Sequence, residues 1–187
     1  MEKTTIDIFE EISSDTLQDF LQKTDNLVDG SEVEIRIASY GGEIFPTLSI
    51  IDSLKRFHTT ANIIGFACSS AAILALSCDT VEMSENASLM LHSAWADGLD
   101  ENDPGIIRCN ELQEKIIKER NANINMSIIL DRDIWLSAEQ ALKLNLADNI
   151  YYLSTINYAA RCIKYVAKLK GNFMSEKDMG QEFLFNL

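Results

Sequence analysis

Three residues whose types could together hydrolyse an acyl bond occur in the order serine, histidine, aspartate. Ser69 stands between an apolar strand-like run and an apolar helical run, so its hydroxyl is expected at a strand-to-helix corner beside free backbone N–H groups. His92 closes the strand-like run Leu89–His92, and Asp133 stands just before a helix cap. A nucleophile, a base and an orienting carboxylate form an acyl-transfer triad. The sequence therefore predicts catalysis by Ser69, His92 and Asp133.

A pair of glycines is the second part of the predicted site. Gly41 and Gly42 follow the strand-like run Val33–Ile37 after three residues, and glycine lets the backbone approach a ligand closely. Loops that follow neighbouring parallel strands meet at one edge of a sheet, so this loop is expected beside Ser69. The N–H groups of Gly42 and Ser70 are the predicted oxyanion hole. Gly41 and Gly42 are also the predicted substrate-binding residues.

Each of these residues taken alone also fits a structural role. His92 alone fits a hydrogen-bonded histidine at a strand end, Asp133 fits a turn acid paired with Arg132, and the two glycines fit a plain turn. Cys68 is a rival nucleophile beside Ser69, although its apolar flank favours a packed side chain. The joint pattern carries the prediction, because no single residue does.

The elements that must position these residues follow the order β-α-β-α-β-α-β-β. This order predicts an α/β fold with a mainly parallel sheet. Alternation and apolar runs predict strands over 4–9, 33–37, 61–66, 80–83, 88–91 and 150–153. Helices are expected after a capping box at Asp15 and Gln18, around Pro46, over 70–77, over 106–130, after a box at Ser137 and Gln140, and over 156–169.

Composition narrows the functional classes. The 187 residues fit one domain, and their net charge of −13 argues against a nucleic-acid partner. No apolar run is long enough for a membrane span and the amino terminus lacks a signal core, so a cytoplasmic protein without membrane contact is expected. The four cysteines are widely spaced, and the two histidines have no cluster of possible metal ligands near them in the sequence. The sequence also lacks the P-loop motif of ATPases. No metal, cofactor or ATPase activity is therefore predicted.

Four blocks of the sequence resemble the Clp peptidase family, self-compartmentalised serine peptidases with the Clp/crotonase fold. Residues 37–42 resemble its I-N-S-P-G-G block, and 65–71 resemble G-x-A-A-S-x-[AG], whose serine is the nucleophile. Residues 89–92 resemble L-M-I-H, and 132–141 resemble R-D-x-[FW]-[LF]-[ST]-A-x-E-A. The resemblance covers about 4–153 and implies the same triad. It also implies repeated β-β-α and βαβ units with a protruding long helix. Tyr40 departs from the family pattern, which has proline there.

The resemblance also implies an organisation. Residues 1–153 would form the peptidase domain, with a handle-like helical segment at about 93–130, and 154–187 would form a carboxyl-terminal helix and tail. The family assembles as a homo-oligomer, so a heptamer-like ring is expected. The segment between His92 and Asp133 is shorter than the handle that stacks two rings in housekeeping members. Ring stacking and a separate AAA+ unfoldase therefore stay open.

Finer details resemble the phage head-maturation branch of the family. These are the G-G-[DE]-[VI]-F pattern at 41–45 and Trp135 before the final cap. The implied substrate is scaffold or capsid protein, in the host cytoplasm or the prohead. A stand-alone bacterial Clp-like peptidase is the nearer alternative. Two further alternatives are a catalytically inactive ring subunit or assembly scaffold, and a crotonase-type acyl-CoA enzyme that uses the oxyanion hole without a triad.

Overall fold

A mainly parallel sheet of seven strands organises residues 3–131 and 133–152, which are the residues described in the computed structural model. The expected α/β class is confirmed. The strands are β1 (Thr4–Ile8), β2 (Glu32–Ser39), β3 (His58–Cys68), β4 (Thr80–Ser84), β5 (Ser88–Leu91), β6 (Ile134–Ser137) and β7 (Asn149–Tyr151). The helices are α1 (Ser14–Thr24), α2 (Ile44–Leu54), α3 (Ser70–Leu76), α4 (Pro104–Arg120), α5 (Met126–Asp131) and α6 (Ala138–Lys143).

The main path of the sheet runs β1-β2-β3-β4-β7, with every neighbouring pair parallel. Strand β2 shows why these segments become strands, since its apolar and charged residues alternate. Val33, Ile35 and Ile37 are buried, whereas Glu34 and Arg36 between them are partly exposed. Alternation of this kind places every second side chain in the core. Helix α3 is buried along its whole length and packs against β3.

Strand β3 changes partner along its length, and this change positions the candidate site. Its first half pairs with β4, and its last three residues pair with β5. Between the two halves Gly65 adopts a φ of 91°, a conformation that favours glycine, and the register against β2 shifts at the same level. The result is that β5 ends beside the carboxyl end of β3.

The segment expected as one long helix over 106–130 is instead two helices, so that expectation is wrong. Helix α4 ends at Arg120 and α5 begins at Met126. The side-chain oxygen of Asn121 accepts a hydrogen bond from the N–H of Asn123, and that of Asn125 accepts one from the N–H of Ser127. Asparagine side chains that bind nearby backbone in this way favour turns over helix, which explains the break.

The first helix also begins earlier than expected. Ser13 is the cap of α1: its hydroxyl accepts from the N–H of Thr16, and the Thr16 hydroxyl accepts from the N–H of Ser13. The box predicted at Asp15 and Gln18 is therefore wrong, because an equivalent pair lies two residues upstream. The box at Ser137 and Gln140 is confirmed at the start of α6.

Two further expectations concern segments rather than single elements. Within the described ranges, no helix has both the length and the apolar character needed to cross a bilayer. The closing helix expected over 156–169 and the tail to 187 lie outside the described residues. The division of the chain at 153 stays a prediction.

Candidate active site

Ser69 occupies a strained corner between β3 and α3. Its φ of 55° and ψ of −128° lie where a side chain is rarely tolerated, a conformation that costs about 1–3 kcal/mol. The surrounding backbone holds it there: the Ser69 N–H donates to the carbonyl of Met90 at 2.9 Å, and the Ser69 carbonyl accepts from the N–H of Ala72. Strain at a serine between strand and helix is the hallmark of a nucleophile elbow.

His92 lies within hydrogen-bond distance of that serine. Its Nε2 is 2.7 Å from the Oγ of Ser69, and both residues are partly buried. The contact follows from the sheet, because Cys68 pairs with Met90 at the end of the β3–β5 ladder. An imidazole nitrogen this close to a hydroxyl can take its proton. The structure thus brings together two of the three residues predicted as a triad.

Asp133 is placed at the same edge by β6. This strand pairs antiparallel with β5, and Ile134 stands opposite Leu91. This pair is the last of the ladder, and Asp133 directly precedes Ile134 while His92 directly follows Leu91, so both residues leave the sheet at the same end. Asp133 is exposed. In the described part of the chain, its carboxylate forms no hydrogen bond with His92. Sequence reasoning missed β6 as a strand, although Ile134 and Trp135 are strand-forming types.

Gly41 is packed directly against the serine corner. A Cβ added to Gly41 would lie 2.7 Å from the Cys68 carbonyl oxygen, 2.8 Å from the Ser69 Cβ and 3.0 Å from the Ser70 nitrogen. Its φ of 98° is a second reason for glycine at this position. The Gly41 N–H donates to the hydroxyl of Ser39 at 3.1 Å, which holds the loop in place. The glycine loop and the serine therefore form one backbone unit.

Gly42 and Ser70 each present a backbone N–H near this corner. Gly42 forms a parallel bridge with Ile12, in which the Ile12 N–H donates to the Gly41 carbonyl and the Glu43 N–H donates to the Ile12 carbonyl, both at 2.8 Å. Ile12 bonds to the residues before and after Gly42, and not to Gly42 itself. In a parallel bridge the residue between those two partners directs its own N–H away from the paired strand, so the Gly42 N–H points away from Ile12. The Ser70 N–H lies in the first turn of α3, where the helix itself supplies no acceptor.

Cys68 is buried, and burial raises the pKa of its thiol to about 11. At neutral pH the group is therefore protonated, and a thiol reacts as a nucleophile only as the thiolate. The sequence-based expectation that Cys68 is packed is confirmed by its burial. Cys78 and Cys109 are likewise free and buried.

The described residues contain no cluster of three or more histidine, cysteine, aspartate or glutamate side chains that could hold a metal ion. The chemistry available at this corner is proton transfer between Ser69 and His92 beside backbone N–H donors. This combination suits acyl transfer.

Comparison with known proteins places this geometry in context. The family model for Clp protease matches residues 1–153. A ClpP1 mutant from Listeria monocytogenes has a similar structure, with a TM-score of 0.70, 22% identity, and coverage of 80% of this chain and 92% of that one. The ClpP protease catalytic domain from Plasmodium falciparum gives a TM-score of 0.68 and 19% identity, with coverage of 80% and 86%. We found no significant sequence match among curated proteins. The structural likenesses confirm the expected fold.

Proposed function

Because the chain belongs to the Clp protease family, we propose that it is a serine endopeptidase with Ser69, His92 and Asp133 as its catalytic triad. One observation carries the proposal. The Ser69 Oγ lies 2.7 Å from the His92 Nε2 at a residue held with a φ of 55°. A packed structural serine has no need of either feature, whereas a nucleophile needs a base within hydrogen-bond distance, and strained backbone clusters at active sites.

The proposed reaction begins with attack of the Ser69 Oγ on the carbonyl carbon of a peptide bond. The hydroxyl proton passes to the His92 Nε2, and the carbonyl π electrons move to the oxygen. When the carbonyl reforms, the C–N bond breaks and the leaving amine takes the proton from His92. Water then attacks the acyl-Ser69 ester in the same way, giving its proton to His92, and the Ser69 oxygen leaves with that proton.

The N–H groups of Gly42 and Ser70 are proposed to bind the oxyanion. A donor of this kind stabilises the transition state by about 3–4 kcal/mol in comparable enzymes. Gly41 supports the proposal because its contact with the Ser69 corner brings together the two segments that carry these N–H groups. A substrate strand held by the Gly41–Gly42 loop would lie across the hydroxyl of Ser69.

Asp133 is proposed to accept a hydrogen bond from the His92 Nδ1–H when the site is engaged. The bond would hold the tautomer that leaves Nε2 free to take the Ser69 proton. The register of β5 and β6 supports this role, because its last pair, Leu91 and Ile134, lies directly beside His92 and Asp133 in the sequence.

We further propose that the protein acts as a homo-oligomeric, heptamer-like ring and processes scaffold or capsid protein during phage head maturation. The support is the resemblance at Gly41–Phe45 and at Trp135. Phe45 and Trp135 are 73% and 53% exposed, and large apolar side chains left open in one chain are suited to contacts with another.

The deciding experiment for the catalytic proposal is fluorophosphonate labelling of the wild type and Ser69→Ala, read by intact mass, with light scattering on the same samples. We expect one label per chain on an oligomer, and none on Ser69→Ala. An unlabelled oligomer would replace the proposal with an inactive ring subunit. An unlabelled protein that binds an acyl-CoA would replace it with a crotonase-type enzyme.

A separate experiment addresses the substrate. Co-expression with a phage scaffolding protein should give discrete fragments that disappear with Ser69→Ala. Intact scaffolding protein, together with degradation of unfolded proteins only when an AAA+ ATPase is present, would instead indicate a housekeeping peptidase.

A further inference from the structure

A cavity of about 370 Å³ lies against the Gly41–Gly42 loop. Its other walls include the rings of Phe9, Tyr40 and Phe66 and the residues Glu10 and Glu11. We call it the acidic aromatic cavity. Because Gly41 lines the cavity and also packs against the Ser69 corner, the cavity adjoins the proposed nucleophile through this glycine.

The aromatic walls are unusually open. Tyr40 and Phe66 pack with their ring centroids 4.4 Å apart, yet Tyr40 is 73% exposed. Phe9 is 48% exposed. Ring faces that remain open beside a binding loop offer apolar contact and a negative π surface.

The charges of the cavity are all negative. Glu10 and Glu11 are exposed, and no ion pair between described residues involves either of them. The nearby Arg36 guanidinium lies 5.8 Å from the centroid of the Phe9 ring, a distance at which cation–π attraction acts. That guanidinium is already held by the carboxylate of Asp7 through hydrogen bonds of 2.6 and 2.7 Å, so it does not neutralise the cavity.

We propose that the acidic aromatic cavity is a substrate subsite that takes the cationic side chain of a lysine or arginine. The inference rests on the proposed endopeptidase function, because the occupant belongs to the polypeptide that crosses the Gly41–Gly42 loop. Two carboxylates give charge-assisted hydrogen bonds to a cation, and the rings of Phe9 and Tyr40 add cation–π contact.

A neutral side chain fits the same space less well. It would cover part of Glu10 and Glu11 and remove their water without returning a hydrogen bond. The subsite therefore discriminates by charge, and the net charge of −13 also steers basic segments towards the protein.

The test uses fluorescent peptides in which arginine, or its neutral isostere citrulline, occupies each position in turn. Binding is measured by anisotropy on Ser69→Ala, which holds peptides without cleaving them. At one position arginine should bind about tenfold more tightly than citrulline. The difference should vanish in a Ser69→Ala protein that also carries Glu10→Gln and Glu11→Gln. It should persist with Glu85→Gln and Glu101→Gln, a control that removes two exposed charges outside the cavity.

Equal binding of arginine and citrulline peptides at every position would overturn the subsite. An equal loss in the two glutamine variants would also overturn it, because the preference would then reflect total charge. Matching melting temperatures for the two variants show that both are folded. Fluorophosphonate labelling of the wild type is scored separately. Arginine-dependent binding to a protein whose wild type does not label would overturn the proposed activity and leave the cavity as a binding site for cationic peptides.

Discussion

Gly41 lies so close to Ser69 that a methyl group on Gly41 would come within 2.8 Å of the Ser69 Cβ. The absence of a side chain at Gly41 therefore sets the spacing between the glycine loop and the proposed nucleophile. The two segments are far apart in the sequence but meet because β2 and β3 are adjacent and parallel. Any residue larger than glycine must push the loop away from the Ser69 corner.

The first prediction compares Gly41→Ala with Gly30→Ala. Both glycines have a positive φ, of 98° and 81°, so alanine strains the backbone at each by about 1 kcal/mol. Only at Gly41 does the new Cβ also collide with neighbouring atoms, because the space around Gly30 is open. We expect fluorophosphonate labelling to slow by at least about a hundredfold in Gly41→Ala, the effect of a lost oxyanion donor, and to be unchanged in Gly30→Ala. Equal labelling rates in the two variants would show that Gly41 has no part in the reactivity of Ser69.

The second prediction concerns the strain at Ser69. Glycine adopts a φ of 55° without steric cost, whereas alanine keeps the penalty that serine has. We expect the free energy of unfolding, measured in urea at the same protein concentration, to be about 1 kcal/mol higher for Ser69→Gly than for Ser69→Ala. Both variants lack the nucleophile, so activity does not enter the comparison. An equal or lower stability of the glycine variant would mean that the corner is relaxed.

How far the sequence predicts this molecule depends on whether a feature is local. The alternation in β2 predicts a strand because burial of every second side chain is decided within the segment itself. The order of strands and helices then predicts a parallel sheet, with Ser69 and Gly41 at one edge. Strand β6 escapes prediction because its four residues form a strand only by pairing with β5.

The distance between Ser69 and His92 likewise cannot be predicted from the sequence. It depends on the point at which β3 leaves β4 and pairs with β5, and this point is set by the conformation of Gly65 and the register shift beside it. The early start of α1 is a different case. Two pairs of residues could each cap the helix, and their sequence patterns do not distinguish between them, whereas the structure has Ser13 and Thr16 in this role.

The third prediction tests Asp133. Asp133→Asn keeps the shape of the side chain but offers no charge to stabilise a protonated His92, so kcat/KM for a cleaved peptide should fall by about 10²–10⁴. Asp52→Asn is the control, since Asp52 is an exposed carboxylate paired with Lys55 on α2. We expect its kcat/KM to stay within about twofold of the wild type. Wild-type kinetics in Asp133→Asn would assign the third role to another group.

The fourth prediction is a loss of stability in alkali caused by buried thiols. Burial raises the pKa of Cys68 to about 11 and that of Cys78 to about 12, above the ordinary thiol value of 9.0. The unfolded chain therefore releases these protons at lower pH than the folded chain. The stabilising contribution is complete below pH 9 and declines as the pH rises towards 11 and 12, at up to about 1.4 kcal/mol per pH unit for each thiol.

Urea unfolding from pH 8 to 11 measures this slope. Lysine and tyrosine side chains also titrate in this range, so the informative quantity is the difference between the wild type and Cys78→Ala. The variant should lose stability less steeply than the wild type above pH 9. Parallel curves of unfolding free energy against pH for the two proteins would show that the Cys78 thiol does not contribute to the loss of stability in alkali.

The last prediction concerns the hydroxyl of Ser70. Its Oγ is buried and has no hydrogen-bond partner among the described residues. A buried hydroxyl without a partner costs free energy, so Ser70→Ala should raise the free energy of unfolding by about 1 kcal/mol. The variant keeps the backbone N–H that is proposed to bind the oxyanion, so labelling should proceed at the wild-type rate.

Ser39→Ala is the matched control: Ser39 is also buried, but its hydroxyl donates to the Glu10 carbonyl at 2.5 Å and accepts from the Gly41 N–H. That variant should be destabilised by about 1–3 kcal/mol. A Ser70→Ala protein that is more stable but labels slowly would show that the hydroxyl is retained for catalysis, because its partner would then be the substrate.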